Sequence, residues 1–204
     1  MTFEYYEHAM EHNCRRHRKE DSDEFAAIEA LLPAKIDGDC GYCGPHSYLP
    51  MRLAIELVKP TSILEIGFNI GHSSLFWLRN TKADVVSIDV RVDYRVNEAV
   101  KVCEIAALES GNANRFHFFH RNSVDHDKGM YDFAFIDGSH VFNDVLKDIQ
   151  ECTKLGIPYL LLDDWLTLYG DVQRAVMASG LKIVFISGNQ VLVTTSGDYT
   201  RYYK

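Results

Sequence analysis

The sequence predicts a doubly wound α/β fold, and three observations carry that prediction. From Tyr48 onward, short apolar runs alternate with amphipathic stretches of helical spacing. Each run is apolar on both faces, as strands buried inside a parallel sheet are. The last two runs are separated by only Gly188-Asn189, enough for a hairpin turn and far too short for a parallel crossover. The expected sheet therefore has seven strands, mostly parallel, with a C-terminal antiparallel β-hairpin and helices added at the N-terminus.

The parallel strands are expected at Ser62–Ile66, Val85–Asp89, Phe116–His120, Phe133–Asp137 and Tyr159–Asp163, each bounded by turn residues. The hairpin strands are Lys182–Ser187 and Gln190–Thr195. Helical spacing covers Gly71–Arg79, Val96–Ser110 and Val141–Leu155. Residues 1–48 differ in character: polar, helical in flavour, and ending in a Gly/Cys/Pro-rich segment from Asp37 to His46. They read as a helical cap over one face and the substrate entrance, with residues 49–204 forming the main domain.

Charge and cysteine usage narrow the function classes. With 29 acidic against 21 basic residues, the formal charge of −8 argues against a nucleic-acid backbone as partner. A chain of 204 residues buries about 70% of its unfolded surface and needs no disulfide or zinc staple. Its five scattered cysteines fit a reducing cytoplasm. Met1–Asp21 lacks the apolar core of a signal peptide, and the longest apolar run, Ile157–Leu162, is too short for a bilayer. A soluble cytoplasmic protein with a small-molecule substrate is expected. Cys40-Gly-Tyr-Cys43 has no second pair to complete a zinc set and reads as a flap near the ligand. His8 and His12 read as a solvated helix face, and the Tyr199–Lys204 tail stays open between disorder and a homo-oligomer contact.

The turn after the first strand, Glu65-Ile-Gly67-Phe68-Asn69-Ile-Gly71-His72-Ser73, opens a helix where backbone N–H groups can approach a ligand. Asn69 and His72 stand where a dinucleotide fingerprint needs glycines, so a nicotinamide oxidoreductase is disfavoured. Glu65 would repel a pyrophosphate but suits a ligand carrying an amine and a sulfonium. Asp89 follows Gly67 by 22 residues, the spacing of a carboxylate that accepts both ribose hydroxyls.

With these residues the sequence, over roughly 45–195, resembles the class I S-adenosylmethionine-dependent methyltransferases, whose Rossmann-like sheet also closes in a hairpin. The resemblance implies that Glu65, Gly67, Phe68, Asn69, Gly71 and His72 lie at or near the methionine portion. It also implies that Asp89 binds the ribose, that Arg121-Asn122-Ser123 meets the adenine, and that Asp137 adjoins the cofactor. Ser73 either bonds the methionine carboxylate or caps the helix.

Two strand ends carry acids: Asp137-Gly-Ser-His140 and Asp163-Asp164-Trp165. Three carboxylates on one rim repel unless a cation sits between them, and Mg²⁺ or another oxygen-seeking dication would serve. His140 stands three residues past Asp137, where an imidazole can take a proton from a hydroxyl. This pattern resembles metal-dependent O-methyltransferases, closest to the macrocin-type enzymes acting on sugar hydroxyls and more distantly to catechol O-methyltransferases. That resemblance implies Asp137, Asp163 and Asp164 as metal ligands and His140 as general base. The catechol type has an amide as last ligand and no such histidine, which leaves catechols less favoured. The expected activity is metal-assisted O-methylation of a small sugar-like or polyol substrate. The alternatives are a non-catalytic adenosylmethionine-binding or regulatory module and a catechol-type enzyme.

Overall fold

Side chains alternate across each strand and give the sheet two apolar faces. In β1 (Ser62–Ile66), Ile63 enters one core while Leu64 and Ile66 enter the other. The computed structural model describes residues 19–33, 44–122, 130–166 and 170–196. Outside these lie the Cys40–Cys43 flap, His8, His12, Ser123 and the Tyr199–Lys204 tail.

The remaining strands are β2 (Asp84–Asp89), β3 (Phe116–His120), β4 (Phe133–Ile136), β5 (Tyr159–Leu162), β6 (Lys182–Ser187) and β7 (Gln190–Thr194). They form one sheet in the order β3-β2-β1-β4-β5-β7-β6, parallel except for β7, which runs antiparallel between β5 and β6. Helices α1 (Lys19–Glu29), α2 (Pro45–Val58), α3 (His72–Asn80) and α4 (Tyr94–Glu109) cover one face, with Tyr48, Phe76 and Trp77 fully buried. The other face carries α5 (Phe142–Lys154) and α6 (Asp171–Ser179), whose Val145, Ile149 and Val176 pack on Leu64 and Ile66. No helix among the described residues is long and apolar enough to cross a membrane.

Several boundaries differ from the sequence expectation for identifiable reasons. Helix α4 starts two residues early because the Asp93 carboxylate accepts from the Arg95 and Val96 amides and caps it. Strands β4 and β5 stop one residue short, so Asp137 and Asp163 stand in turns. Helix α6 has no counterpart among the helices expected from the sequence; left-handed Gly170 and Gly180 bracket it. Helix α2 runs through position 48, and α1 is tied to it by Arg52, which bonds Asp21 and Glu24 on one side and Asn80 of α3 on the other.

Strand order places the site. The chain moves outward from β1 to β3, then returns to lay β4 on the opposite side of β1, and a crevice opens where the direction switches. Ile66 pairs with both Ile88 and Ile136, and Ile136 pairs with Leu162. Gly67, Asp89, Asp137 and Asp163, each the next residue, therefore stand level at the carboxyl ends.

Candidate active site

Gly67 is required by the crossing of two turns. It has φ +99°, and a Cβ there would lie 2.1 Å from the Asp137 carbonyl oxygen. Asn69, also left-handed at φ 48°, donates its backbone N–H to Asp89 Oδ2 at 2.7 Å. The Arg91 backbone N–H donates to Asp89 Oδ1 at 2.7 Å. Each oxygen keeps lone-pair capacity for a ligand hydroxyl, since an ionised carboxylate offers about four acceptor sites. Arg91, which the sequence reading passed over, bridges Asn69 Oδ1 at 2.9 Å and Asp93 at 2.8 Å on the same wall. A basic residue two positions beyond Asp89 was its only signal.

Five residues expected at the cofactor turn inward instead. Glu65 is fully buried with the Ser74 and Ser87 hydroxyls on its carboxylate. Strand alternation explains this: Glu65 shares the side of Ile63, beneath α3, and not the rim. Phe68 packs 4.9 Å from Phe118, and Gly71 leaves just enough room for the Phe68 ring. His72 stacks on Phe25 of α1 at 5.6 Å, and Ser73 is buried beside Glu65.

Burial pushes the Glu65 carboxyl up to about 7 from 4.5, against the lowering effect of its serine partners. The folded state therefore holds a proton that the unfolded chain has released between these values. Its stability contribution is intact below pH 4.5 and lost as pH rises through 7, by about 3 kcal/mol at roughly 1.4 kcal/mol per unit. Glu65→Gln is expected to flatten the decline of melting temperature between pH 5 and 8. Equal slopes for the two proteins in thermal melts would refute that assignment.

At the opposite wall the structure gathers Asp137, His140 and Asp164, which each offer one ligand atom, all within 4.8 Å of one another. His140 Nδ1 lies 2.8 Å from Asp164 Oδ2, and its Nε2 lies 3.9 Å from Asp137 Oδ1. The expected trio of aspartates is thus not the group that forms: Asp163 stands outside it. Consecutive residues send their side chains apart, and Asp164, at φ 57°, turns back toward His140. Asp163 Oδ1 instead accepts the Asp164 amide at 2.9 Å.

The electrostatics follow from burial and crowding. Burial, then the charges of Asp163 and Asp164, raise Asp137 well above the carboxylate range, and burial beside Asp164 lifts Asp163 to about 7. Burial works on Asp164 in the same direction, but bonds from His140 and Asn189 hold it below its usual value. Its hydrogen bond raises His140 in turn.

Between the two walls lies a cavity of about 430 Å³ lined by Gly67, Asn69, Asp89, Arg91, Asp137 and His140. A second, of about 240 Å³, shares Gly67 and Asp89 and extends to Val90, Arg121 and Asn122. Of the residues expected at the cofactor, Gly67, Asn69, Asp89 and Asp137 line the larger cavity, and Asn122 lines the second, which shares Gly67 and Asp89 with it.

Comparison with solved structures shows where this architecture recurs. The SAH-bound Podospora anserina methyltransferase PaMTH1 superposes with a TM-score of 0.58 at 16% identity, covering 94% of each chain. The fold is that of the class I methyltransferases. An O-methyltransferase from Bacillus cereus in complex with SAH matches at TM-score 0.56 and 14% identity over 87% of this chain and 91% of that one. A ribosomal protein L11 methylase from Lactobacillus delbrueckii subsp. bulgaricus matches at 0.54 and 15% over 78% and 81%. No protein-family model and no curated protein sequence matches the chain. Since the same fold at this identity recurs in proteins described as an O-methyltransferase and as a ribosomal protein methylase, it does not by itself assign a function, which must be argued from the site.

Proposed function

We propose that the chain transfers a methyl group from S-adenosylmethionine to a hydroxyl of a small sugar-like or polyol acceptor, assisted by a divalent cation. The observation that carries this reading is the 2.8 Å contact between Asp164 Oδ2 and His140 Nδ1 in a cavity whose far wall presents Asp89. With Nδ1–H held by Asp164, His140 keeps Nε2 for the acceptor proton, and the carboxylate stabilises the imidazolium that forms. Asp89 accepts the ribose hydroxyls, while Asn122 lies toward the adenine end of the crevice. The neighbour from Bacillus cereus, described as an O-methyltransferase with SAH bound, supports donor and reaction type.

The donor set fits a dication. Ligand atoms on an ion with bonds of about 2.1 Å lie within about 4.2 Å of one another, and one oxygen of Asp137 and one of Asp164 lie within 4.8 Å of each other. Asp137, raised by burial beside two further aspartates, is a carboxyl that a cation would ionise. Such an ion, held by Asp137 and Asp164 with Asp163 adjoining, would polarise the acceptor oxygen and lower its pKa. Asp137 and Asp164 bind; His140 moves the proton. An acceptor with neighbouring hydroxyls could meet both groups at once.

Calorimetry tests this directly. SAH is expected to give binding heat and NAD none. Mn²⁺ is expected to bind the wild type and to lose at least tenfold in affinity in Asp137→Ala. NAD binding would overturn the donor assignment, and Mn²⁺ affinity unmoved by Asp137→Ala would overturn the ion site. An equal loss of Mn²⁺ in His140→Ala would make His140 a ligand and remove it as the base.

A further inference from the structure

The closing hairpin was expected only as a feature of the fold, yet its turn reaches the candidate site. Asn189 lies between β6 and β7 beside left-handed Gly188. Its side-chain Nδ2 donates to Asp164 Oδ1 at 2.8 Å, while its Oδ1 accepts the Leu166 amide at 2.8 Å. The Asn189 backbone carbonyl accepts the Trp165 amide, also at 2.8 Å. Three bonds from one residue thus grip Asp164, Trp165 and Leu166, with Trp165 almost fully buried as an anchor. The next residue, Gln190, is fully buried beside Asp163 and favours its ionised form.

The two Asp164 oxygens divide their work: Oδ1 takes Asn189, Oδ2 takes His140 Nδ1. A carboxylate bonded on one oxygen only can rotate about its Cβ–Cγ bond, whereas one held on both cannot. Asp164 also sits at φ 57°, a conformation that aspartate tolerates at a cost and that its surroundings must hold. The geometry points to Asn189 as a positioning residue: it fixes the Asp164 carboxylate so that His140 presents Nε2 to the acceptor. This rests on the reading of His140 as the base, and it brings the hairpin turn into the active site of the proposed methyltransferase.

The test reads the tautomer of His140 in the full chain, free of metal in EDTA, by long-range ¹H–¹⁵N NMR at a pH where the ring is neutral. Asn189→Ala removes every side-chain bond. Asn189→Asp retains the acceptor for the Leu166 amide, so it preserves the local fold, but replaces the donor to Asp164 by a repelling carboxylate. Wild type is expected to hold the Nδ1–H form, and both variants to lose it in favour of Nε2–H. Should Asn189→Ala fail to fold, Asn189→Asp decides. Retention of Nδ1–H in Asn189→Asp would show that the residue serves only the backbone of residues 165–166 and overturn the proposal. An Nε2–H wild type would overturn it as well. SAH calorimetry on the same samples keeps the two readings apart: a wild type that binds no SAH loses the methyltransferase function, while the tautomer still decides the role of Asn189.

Discussion

Under the proposed function, His140→Ala is expected to slow methyl transfer by about 10²–10⁴-fold, the usual worth of a positioned general base, with SAH affinity nearly unchanged. The separation follows from geometry. His140 is 39% exposed on the wall beside Asp164, while the opposite wall is built on Asp89 and the backbone amides of Asn69 and Arg91. Removing the imidazole deletes the proton acceptor and leaves those bonds alone. The loss should fall on kcat, with KM for the methyl donor within about threefold, and should shrink as pH rises and the acceptor ionises unaided. Asp164→Asn should cost a comparable amount, because the Asn189 Nδ2–H draws the amide oxygen and turns the NH2 toward His140 Nδ1, which then accepts and leaves Nε2 protonated. The measurement is transfer of labelled methyl from S-adenosylmethionine to an acceptor that the wild type turns over. Unchanged turnover in His140→Ala would remove the base from the mechanism.

Gly67→Ala should produce the largest structural effect. A Cβ at this position would approach the Asp137 carbonyl oxygen to 2.1 Å, its carbon to 2.5 Å and the Gly138 nitrogen to 2.8 Å. All three are backbone atoms of the neighbouring strand end, so no side chain can swing away to make room. The residue also holds φ +99°, which a side chain resists. Overpacking of about 1–3 kcal/mol adds to backbone strain of a similar size, giving a destabilisation of roughly 2–6 kcal/mol. Equilibrium urea unfolding should show a much lower midpoint or an insoluble product. Because the atoms displaced belong to Asp137 and Gly138, whatever protein survives should, under the proposed function, bind Mn²⁺ more weakly. A midpoint equal to wild type would mean that the β1 and β4 turns do not cross this closely.

The two substitutions probe parts of the molecule that differed in how well the sequence announced them. Gly67 was legible as a glycine at the end of an apolar strand, but its reason was not. The sequence points to ligand approach there, and the structure adds the backbone of Asp137, seventy residues away in the chain, which leaves no room for a Cβ. Glu65 looked like a cofactor residue because it precedes that glycine by two. The side on which it points depends on which alternate positions of β1 enter the α3 layer. His140 and Asp164 were each singled out, yet nothing in the spacing of residues 140 and 164 says that an imidazole nitrogen will meet a carboxylate at 2.8 Å. Asn189, two residues into a turn, carried no chemical signal at all.

What the sequence determined by itself was the string of strands, the closing hairpin and the placement of acids at strand ends. Apolar periodicity and turn chemistry act over a few residues and are written locally. Only the tertiary structure decided which acids share a site, which of them face the core, and that the hairpin turn grips Asp164. Those relations depend on strand order and register, which bring residues 67, 89, 137 and 163 level through hydrogen bonds between strands far apart in the chain.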